Sequence, residues 1–204
     1  KRAVRDSAEQ AGAKEVYLIH EPMAAALGIG IDVEEPVGNM IIDIGGGTTG
    51  ITVIALAGIV CDQSIRVAGD QVTGDIMEAL RRYHSLLIGE RTAEQIKIQV
   101  GAATKDLDNP PDDIPVNGRD LVTGIPKQVM VSYQEVAEAL DKSIFKIEEA
   151  ILKALETTPP ELASDIYRRG LYITGGGALL RGLDKRLNAK IKLPVHVADD
   201  PLKS

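Results

Sequence analysis

Apolar positions follow two different spacings along the chain, and together they predict an α/β protein. Runs of β-branched residues, such as those at 40–44 and 51–56, predict strands with no helical period. Apolar residues three or four positions apart predict helices, most clearly in the stripe from Val136 to Leu155. Strands and helices alternate over most of the chain, which favours helices packed on a sheet.

The predicted elements have clear start and stop signals. Residues 40–44 and 51–56 form a β-hairpin with a glycine tip, Ser132 and Glu135 form a capping box, and Asn117-Gly118 is a hairpin turn. The predicted helices cover 2–11, 22–28, 72–87, 92–100 (capped by Thr92), 132–155, 160–170 and 179–187; further strands cover 16–19, 60–67, 171–174 and 195–197, and short strands lie within 114–131.

Composition narrows the class of protein. The 204 residues are 44% apolar with only 3% aromatics, so the core is expected to consist of Ile, Val, Leu and Ala. A net charge of −7 argues against a nucleic-acid surface. Cys61 is the only cysteine, which excludes an internal disulfide and fits a reducing compartment.

The ends of the sequence predict a soluble fragment. No signal peptide and no run of eighteen apolar residues is present, so we expect no membrane span. The sequence begins at Lys1 within a helical pattern, without an initiator Met, and stops shortly after Pro201. We therefore expect a piece of a longer protein.

The glycine run at the hairpin tip is the first candidate site. Gly45-Gly46-Gly47-Thr48-Thr49 has no lysine of the P-loop kind and does not open a helix as a dinucleotide fingerprint does. Glycines permit positive φ and close approach, so backbone N–H groups can form an anion nest, and the Thr hydroxyls add donors. Asp43, at the strand end, can hold hydrated Mg²⁺. The alternative is a tight turn without a ligand.

A second glycine run makes the binding hypothesis stronger. Gly175-Gly176-Gly177 follows a predicted strand and precedes a predicted helix, whose N-terminal N–H groups attract anions. Two glycine runs at strand ends suggest two sides of one cleft; the alternative is two independent turns.

Three further candidates have simple alternative explanations. Glu21, before a helix-starting proline, can orient an attacking water or merely face the helix dipole. Glu94 and Lys97 can face a ribose and base or form a solvated ion pair. The three histidines lack metal-ligand spacing and are expected to be structural.

Five motifs in order give a family resemblance. The chain resembles the actin superfamily, and specifically the bacterial rod-shape-determining MreB/Mbl group. The motifs are Glu21-Pro22-Met23-Ala24-Ala25-Ala26, Ile42-Asp43-Ile44-Gly45-Gly46-Gly47-Thr48-Thr49, Glu94-Gln95-Ile96-Lys97, Pro159-Pro160-Glu161-Leu162-Ala163 and Thr174-Gly175-Gly176-Gly177-Ala178-Leu179-Leu180.

The resemblance implies ATP and Mg²⁺ as cofactors and a role for each motif. It implies that Glu21 and Thr48 position the hydrolytic water and that Asp43 lies near the metal and holds it through water. Further nucleotide-binding residues implied by it are Gly45, Gly46, Gly47, Thr48 and Thr49 in a phosphate loop, Glu94, Gln95, Ile96 and Lys97 at the adenosine, and Gly175, Gly176, Gly177 and Ala178 in an adenosine loop.

The resemblance also implies a domain plan and a cellular role. The fold is α/β, an actin-like (ribonuclease H-like) ATPase lobe with a mixed sheet and an inserted smaller α+β subdomain. Residues 1–29 are then the end of a first large subdomain and its connecting helix, 30–67 with 133–204 a second large subdomain, and 68–132 the insertion. The implied protein is a weak ATPase that forms filaments with itself at the inner face of the cytoplasmic membrane and organises the cell-wall elongation machinery.

Several alternatives stay open from the sequence. An Hsp70-like chaperone ATPase shares the hairpin phosphate loop, and sugar or acetate kinases share the fold. The family's first phosphate loop is absent from these 204 residues. The isolated piece is therefore expected to bind nucleotide poorly or not at all, and hydrolysis belongs to the full-length protein.

Overall fold

The structure is a computed structural model that describes residues 2–202, with two sheets and surrounding helices. The strands are β1 (Asn39–Ile44), β2 (Thr49–Ala55), β3 (Gly58–Ile65), β4 (Leu86–Leu87), β5 (Ile114–Asp120), β6 (Pro126–Val131), β7 (Leu171–Thr174) and β8 (Val195–Val197). The helices are α1 (Arg2–Gln10), α2 (Glu21–Gly28), α3 (Gly69–His84), α4 (Glu90–Val100), α5 (Tyr133–Thr157), α6 (Pro160–Arg169) and α7 (Leu183–Ile191), with a 3₁₀ helix at Gly176–Leu179.

The larger sheet is mixed, with strand order β3-β2-β1-β7-β8. β1 pairs antiparallel with β2 and parallel with β7, and Asp43 lies opposite Thr174 in the parallel register. The carboxyl ends of β1 and β7 therefore lie side by side, and each is followed by one of the glycine runs. This pairing confirms the predicted hairpin and brings the two runs to one edge of the sheet.

Side chains of β1 alternate between the two faces of the sheet, as the period of a strand requires. Met40, Ile42 and Ile44 belong to the main core, which includes buried residues of α3, α5 and α7. Ile41 belongs to a second cluster with Ala25 and Ala26 of α2. Helices therefore cover both faces of the sheet, which explains why β1 is apolar at almost every position.

The smaller sheet has the order β4-β5-β6 and is antiparallel. It lies within residues 68–132 together with α3 and α4. Leu86, Val116 and Val131 are buried in the same cluster as the main core, so the packing continues from one sheet to the other. The division into a large subdomain and an insertion at 68–132 stays a prediction.

The long helix α5 begins where the capping box predicts. The Ser132 hydroxyl oxygen accepts a hydrogen bond from the Glu135 N–H at 3.3 Å. The Glu135 carboxylate does not return to the cap, because it contacts His84 Nε2 at 2.6 Å. α5 is thereby joined to the end of α3.

The predicted strand at 16–19 is wrong. Tyr17 is 85% exposed and Ile19 is 59% exposed, and within residues 2–202 no strand pairs with this segment. An extended segment forms a strand only when a neighbour satisfies its backbone N–H and C=O groups. The larger sheet ends at β3 and β8, and neither reaches it.

The predicted turn at Asn117-Gly118 is also wrong, because both residues lie inside β5 and pair with β6. A Cβ on Gly118 would lie 2.6 Å from Leu87 O, so glycine permits the close approach of β4. The turn falls after Asp120, whose Oδ1 accepts hydrogen bonds from the Val122 and Thr123 N–H groups at 2.7 and 2.9 Å. These bonds and Lys127 lower the pKa of Asp120 to about 2.

Candidate functional site

The first glycine run forms the turn between β1 and β2. The Gly45 N–H donates to Thr48 O at 3.0 Å, and Gly46, Gly47 and Thr48 are exposed. The expected positive φ is wrong, because none of the three glycines has one. A Cβ on Gly46 would meet its nearest atom, an Asp70 carboxylate oxygen, at 3.6 Å, which is ordinary contact. The fold tolerates a side chain here, so the glycines leave a bare backbone surface.

The two threonines of the turn differ in exposure. Thr49 is fully buried, and its hydroxyl donates to Val67 O at 2.6 Å. The expected role of the Thr49 hydroxyl as a ligand donor is therefore wrong; it ties the turn to the chain after β3. Thr48 is exposed and keeps its side chain on the open side of the turn.

The start of α3 packs directly on this turn, which the sequence reasoning missed. The Gly69 N–H donates to Gly45 O at 3.0 Å, and the Asp70 N–H donates to Gly46 O at 2.7 Å. A Cβ on Gly69 would lie 3.2 Å from Gly45 O, a tight contact. The signal in the sequence was a Gly-Asp pair after apolar Val67 and Ala68, at the start of a helical pattern.

Two carboxylates approach each other beside the turn. Burial raises the pKa of Asp43, and the negative charge of Glu21 raises it further. Glu21 is the first residue of α2 and is exposed, whereas Asp43 is half-buried at the end of β1. The structure thus brings together two residues that are 22 positions apart in the sequence. Two carboxylates whose charges interact beside a bare glycine turn suit a bound cation.

The Glu94–Lys97 pair of α4 belongs to the same region. Lys97 Nζ lies 2.6 Å from Glu94 Oε2 and donates to Gly69 O at 3.3 Å. The Thr73 hydroxyl donates to Glu94 Oε2 at 2.9 Å. Burial alone would raise the pKa of Glu94, but the hydrogen bonds from Lys97 and Thr73 and the Lys97 charge together lower it. The pair is therefore part of a network at the start of α3, with Glu94 still 47% exposed.

The other two residues of this motif lie differently on α4. The Ile96 side chain is 1% exposed and packs in the main core, so its expected contact with a nucleotide is wrong for the side chain. Gln95 is exposed. α4 begins at Glu90 after Gly89, so Thr92 lies in its first turn and does not cap it.

The second glycine run packs against the end of β1. Gly175 has a φ of +79°, and a Cβ there would lie 2.4 Å from Asp43 Oδ1. A Cβ on Gly177 would lie 2.2 Å from Ile44 Cγ2. Both glycines are therefore required for the contact between the second run and the end of β1. Gly176 is exposed, whereas Ala178 is buried.

The helix predicted to start at residue 179 is wrong at its N-terminus. Gly176–Leu179 form a short 3₁₀ helix, and α7 begins at Leu183 after Gly182, whose φ is +71°. The N-terminus of α7 is therefore displaced from the second glycine run. Its dipole cannot attract an anion to that run, contrary to the prediction from the sequence.

Other chemistry is sparse in the described part of the chain. No group of three or more His, Cys, Asp or Glu residues there has a metal-binding arrangement. None of the helices described is both long and apolar enough to cross a bilayer. His196 Nε2 lies 2.9 Å from Arg169 O, and Cys61 Sγ lies 3.6 Å from Thr157 Oγ1. These contacts agree with structural roles.

Known proteins resemble this chain along its whole length. The family model described as "MreB/Mbl protein" matches residues 1–204. The chain belongs to the MreB/Mbl family. It is 48% identical to the cell shape-determining protein Mbl of Bacillus subtilis (strain 168) over 201 residues, which cover 98% of the chain and 60% of that relative.

Solved structures of the actin fold superpose closely on the chain. MreB5 of Spiroplasma citri has a TM-score of 0.94 when bound to ADP and 0.95 when bound to AMPPNP, at 40% identity. A MamK double helical filament has a TM-score of 0.69 at 25% identity and matches 88% of the chain and 55% of the MamK chain. The predicted fold class is confirmed. The chain spans about 60% of the length of Mbl and of MreB5.

Proposed function

We propose that this MreB/Mbl chain carries one wall of the nucleotide site of an actin-like ATPase that forms filaments and determines cell shape. The observation that carries the proposal is the convergence of the two glycine runs, the start of α3 and the Glu94–Lys97 pair at one edge of the larger sheet. MreB5 has been solved with ADP and with AMPPNP, which supports nucleotide binding by a protein of this fold.

The phosphates and the metal are proposed to lie at the first glycine turn. Its bare backbone at Gly46 and Gly47, with the exposed Thr48, suits close approach of anionic oxygens. Asp43 would hold Mg²⁺ through water, and a cation there would relieve the repulsion from Glu21. Glu21, with Thr48, would position the attacking water.

The adenosine is proposed to lie between α4 and the second glycine run. Glu94 and Lys97 are held in place by Thr73 and Gly69 O, so they offer fixed polar groups for the ribose and base. Gly175–Ala178 would form the facing loop, with its exposed backbone at Gly176. The buried Ile96 would support this wall from behind.

The wider role follows the relatives' names. Mbl is named as cell shape-determining, and MamK is described as a filament. We propose that the full-length protein assembles with itself, lies in the cytoplasm at the inner face of the cell membrane, and organises the cell-wall elongation machinery there. The family match gives no support to the Hsp70-like chaperone or sugar kinase alternatives.

Electron microscopy and phosphate release together test the proposal. The full-length protein should form filaments on lipid with ATP and Mg²⁺, and fewer without nucleotide. Glu21→Ala should slow phosphate release by about a hundredfold while filaments persist. Glu9→Ala, on the exposed surface of α1, is the matched control and should change neither. Unchanged hydrolysis in Glu21→Ala would remove Glu21 from the mechanism, and absence of filaments would contradict the assembly role.

A further inference from the structure

Arg186 of α7 is the centre of an ion-pair network outside the candidate site. Its Nε donates to Glu148 Oε1 at 2.6 Å, and its Nη1 lies 2.8 Å from Asp141 Oδ1. The Glu148 side chain is 4% exposed and the Arg186 side chain 18%. A carboxylate this deeply buried is costly unless it is paired and hydrogen-bonded. The network borders a groove of about 760 Å³ between α5, α7 and the chain after α4.

The same guanidinium also holds the chain that follows α4. Arg186 Nη1 donates to Ala103 O at 3.0 Å, and the Ala103 N–H donates to Arg181 O at 2.8 Å. Ala102 and Arg181 form a parallel β-bridge, and Arg181 Nη1 donates to Ile98 O at 3.2 Å. We call residues 101–104, 180–182, Glu148 and Arg186 the clasp.

The clasp joins the two elements proposed to enclose the adenosine. Residue 101 directly follows α4, which carries Glu94 and Lys97, and residue 180 follows the second glycine run. The two segments are in close contact, since a Cβ on Gly101 would lie 3.1 Å from Leu180 Cδ1. The clasp therefore sets how far α4 lies from the glycine run. It does not contact the first glycine turn.

We propose that Arg186 and Glu148 are positioning residues for the adenosine side of the nucleotide site, an inference that rests on the proposed function. Glu148 fixes the guanidinium from α5, and the guanidinium fixes Ala103, which holds Arg181 and so the end of the second glycine run. Neither residue contacts the nucleotide. Their effect falls on binding of the nucleoside and spares the phosphates.

Arginine suits this position because its planar fork presents donors in several fixed directions at once. A lysine in its place can pair with Glu148 but cannot also donate to Ala103 O from the same geometry. Arg186→Lys therefore removes the hydrogen bond to Ala103 O while keeping a positive charge beside the buried Glu148. The double variant Arg186→Met with Glu148→Gln removes the network without leaving a lone buried charge.

Calorimetric binding to the full-length protein tests the proposal, with ATP and inorganic tripolyphosphate as probes. We expect Arg186→Lys and the double variant to bind ATP about tenfold more weakly, with tripolyphosphate affinity changed by less than about twofold. Lys185→Met is the matched control. It removes a neighbouring charge that pairs with Asp108 on the surface, and it should leave both affinities unchanged.

The outcomes separate the two proposals. Wild-type ATP affinity in Arg186→Lys, or an equal loss of both probes in that variant, would overturn the positioning role. If the double variant fails to fold, Arg186→Lys alone decides. A wild-type protein that binds neither probe would overturn the proposed function and the clasp inference with it. A change in affinity that is seen in the variants but not in the wild type concerns the clasp alone.

Discussion

At the scale of single residues, the two glycine runs meet different physical demands. Gly175 has a left-handed backbone and no room for a Cβ beside Asp43, so the fold requires glycine there. Gly46 has neither restriction. The fold does not require glycine at position 46, which is exposed at the end of the sheet. A ligand that needs the space of a side chain better explains why glycine is present there.

The two glycines therefore predict opposite substitution effects. Gly175→Ala should lower the free energy of unfolding by about 3 kcal/mol, because it adds backbone strain and a clash. Gly46→Ala should change it by less than about 0.5 kcal/mol and weaken ATP binding by about tenfold or more, because a methyl group occupies the ligand's space. Denaturant unfolding and calorimetry measure the two quantities. A Gly46→Ala protein that binds ATP normally would contradict the phosphate role.

The raised pKa of Asp43 predicts a pH effect in the absence of metal. The folded-state pKa of Asp43 is raised, so the folded chain takes up this proton more readily than the unfolded chain. The resulting stability is present at low pH and is lost as pH rises through the raised pKa. Above that pKa the ionised Asp43 opposes folding.

Asp43→Asn should therefore raise the melting temperature at pH 7, by about 2 °C in a chelating buffer. The difference from wild type should shrink as pH falls through the raised pKa of Asp43, because the protonated group carries no charge. Asp113→Asn, in an exposed loop, is the control and should shift little. A lower melting temperature for Asp43→Asn at pH 7 would show that the carboxylate stabilises the fold.

At the scale of elements, local patterns predicted more than contacts between distant segments did. The stripe of α5 and its Ser132 cap depend on neighbouring residues, and the structure confirms both. The segment 16–19 has strand composition but lacks a pairing partner in the described chain. Positions 118 and 177 require glycine because β4 packs against Gly118 and β1 packs against Gly177. No local sequence pattern reveals these contacts. The same holds for the site, where Gly69 and Thr73 were missed.

The cap of α5 gives an element-scale prediction. Ser132→Ala removes the acceptor for the Glu135 N–H and should lower the free energy of unfolding by about 1 kcal/mol. Ser164→Ala is the matched control, because Ser164 lies exposed within α6 and alanine is the better helix former. Chemical denaturation of both variants measures the difference. Equal stability of the two would show that water replaces the cap without cost.

At the scale of the whole molecule, the candidate site is a wall and not an enclosed pocket. Gly46, Gly47, Thr48 and Glu21 are all exposed, and Glu94 is half exposed. The chain spans 60% of the length of Mbl, so relatives have further residues that can cover this edge. Ligand sites that bind tightly usually bury most of the ligand's surface.

This openness predicts a large difference in nucleotide affinity between the 204-residue chain and the full-length protein. ATP with Mg²⁺, at a hundredfold above Kd, should stabilise the full-length protein by about 3 kcal/mol, because binding to the folded state alone shifts unfolding by mass action. The same ATP concentration should stabilise the 204-residue chain by less than about 0.5 kcal/mol, because this edge is open and the phosphates stay in water. Thermal unfolding with and without ATP measures both, with Gly46→Ala in each as the control for binding at this turn. Equal stabilisation of the two proteins would mean that this edge alone is the complete site.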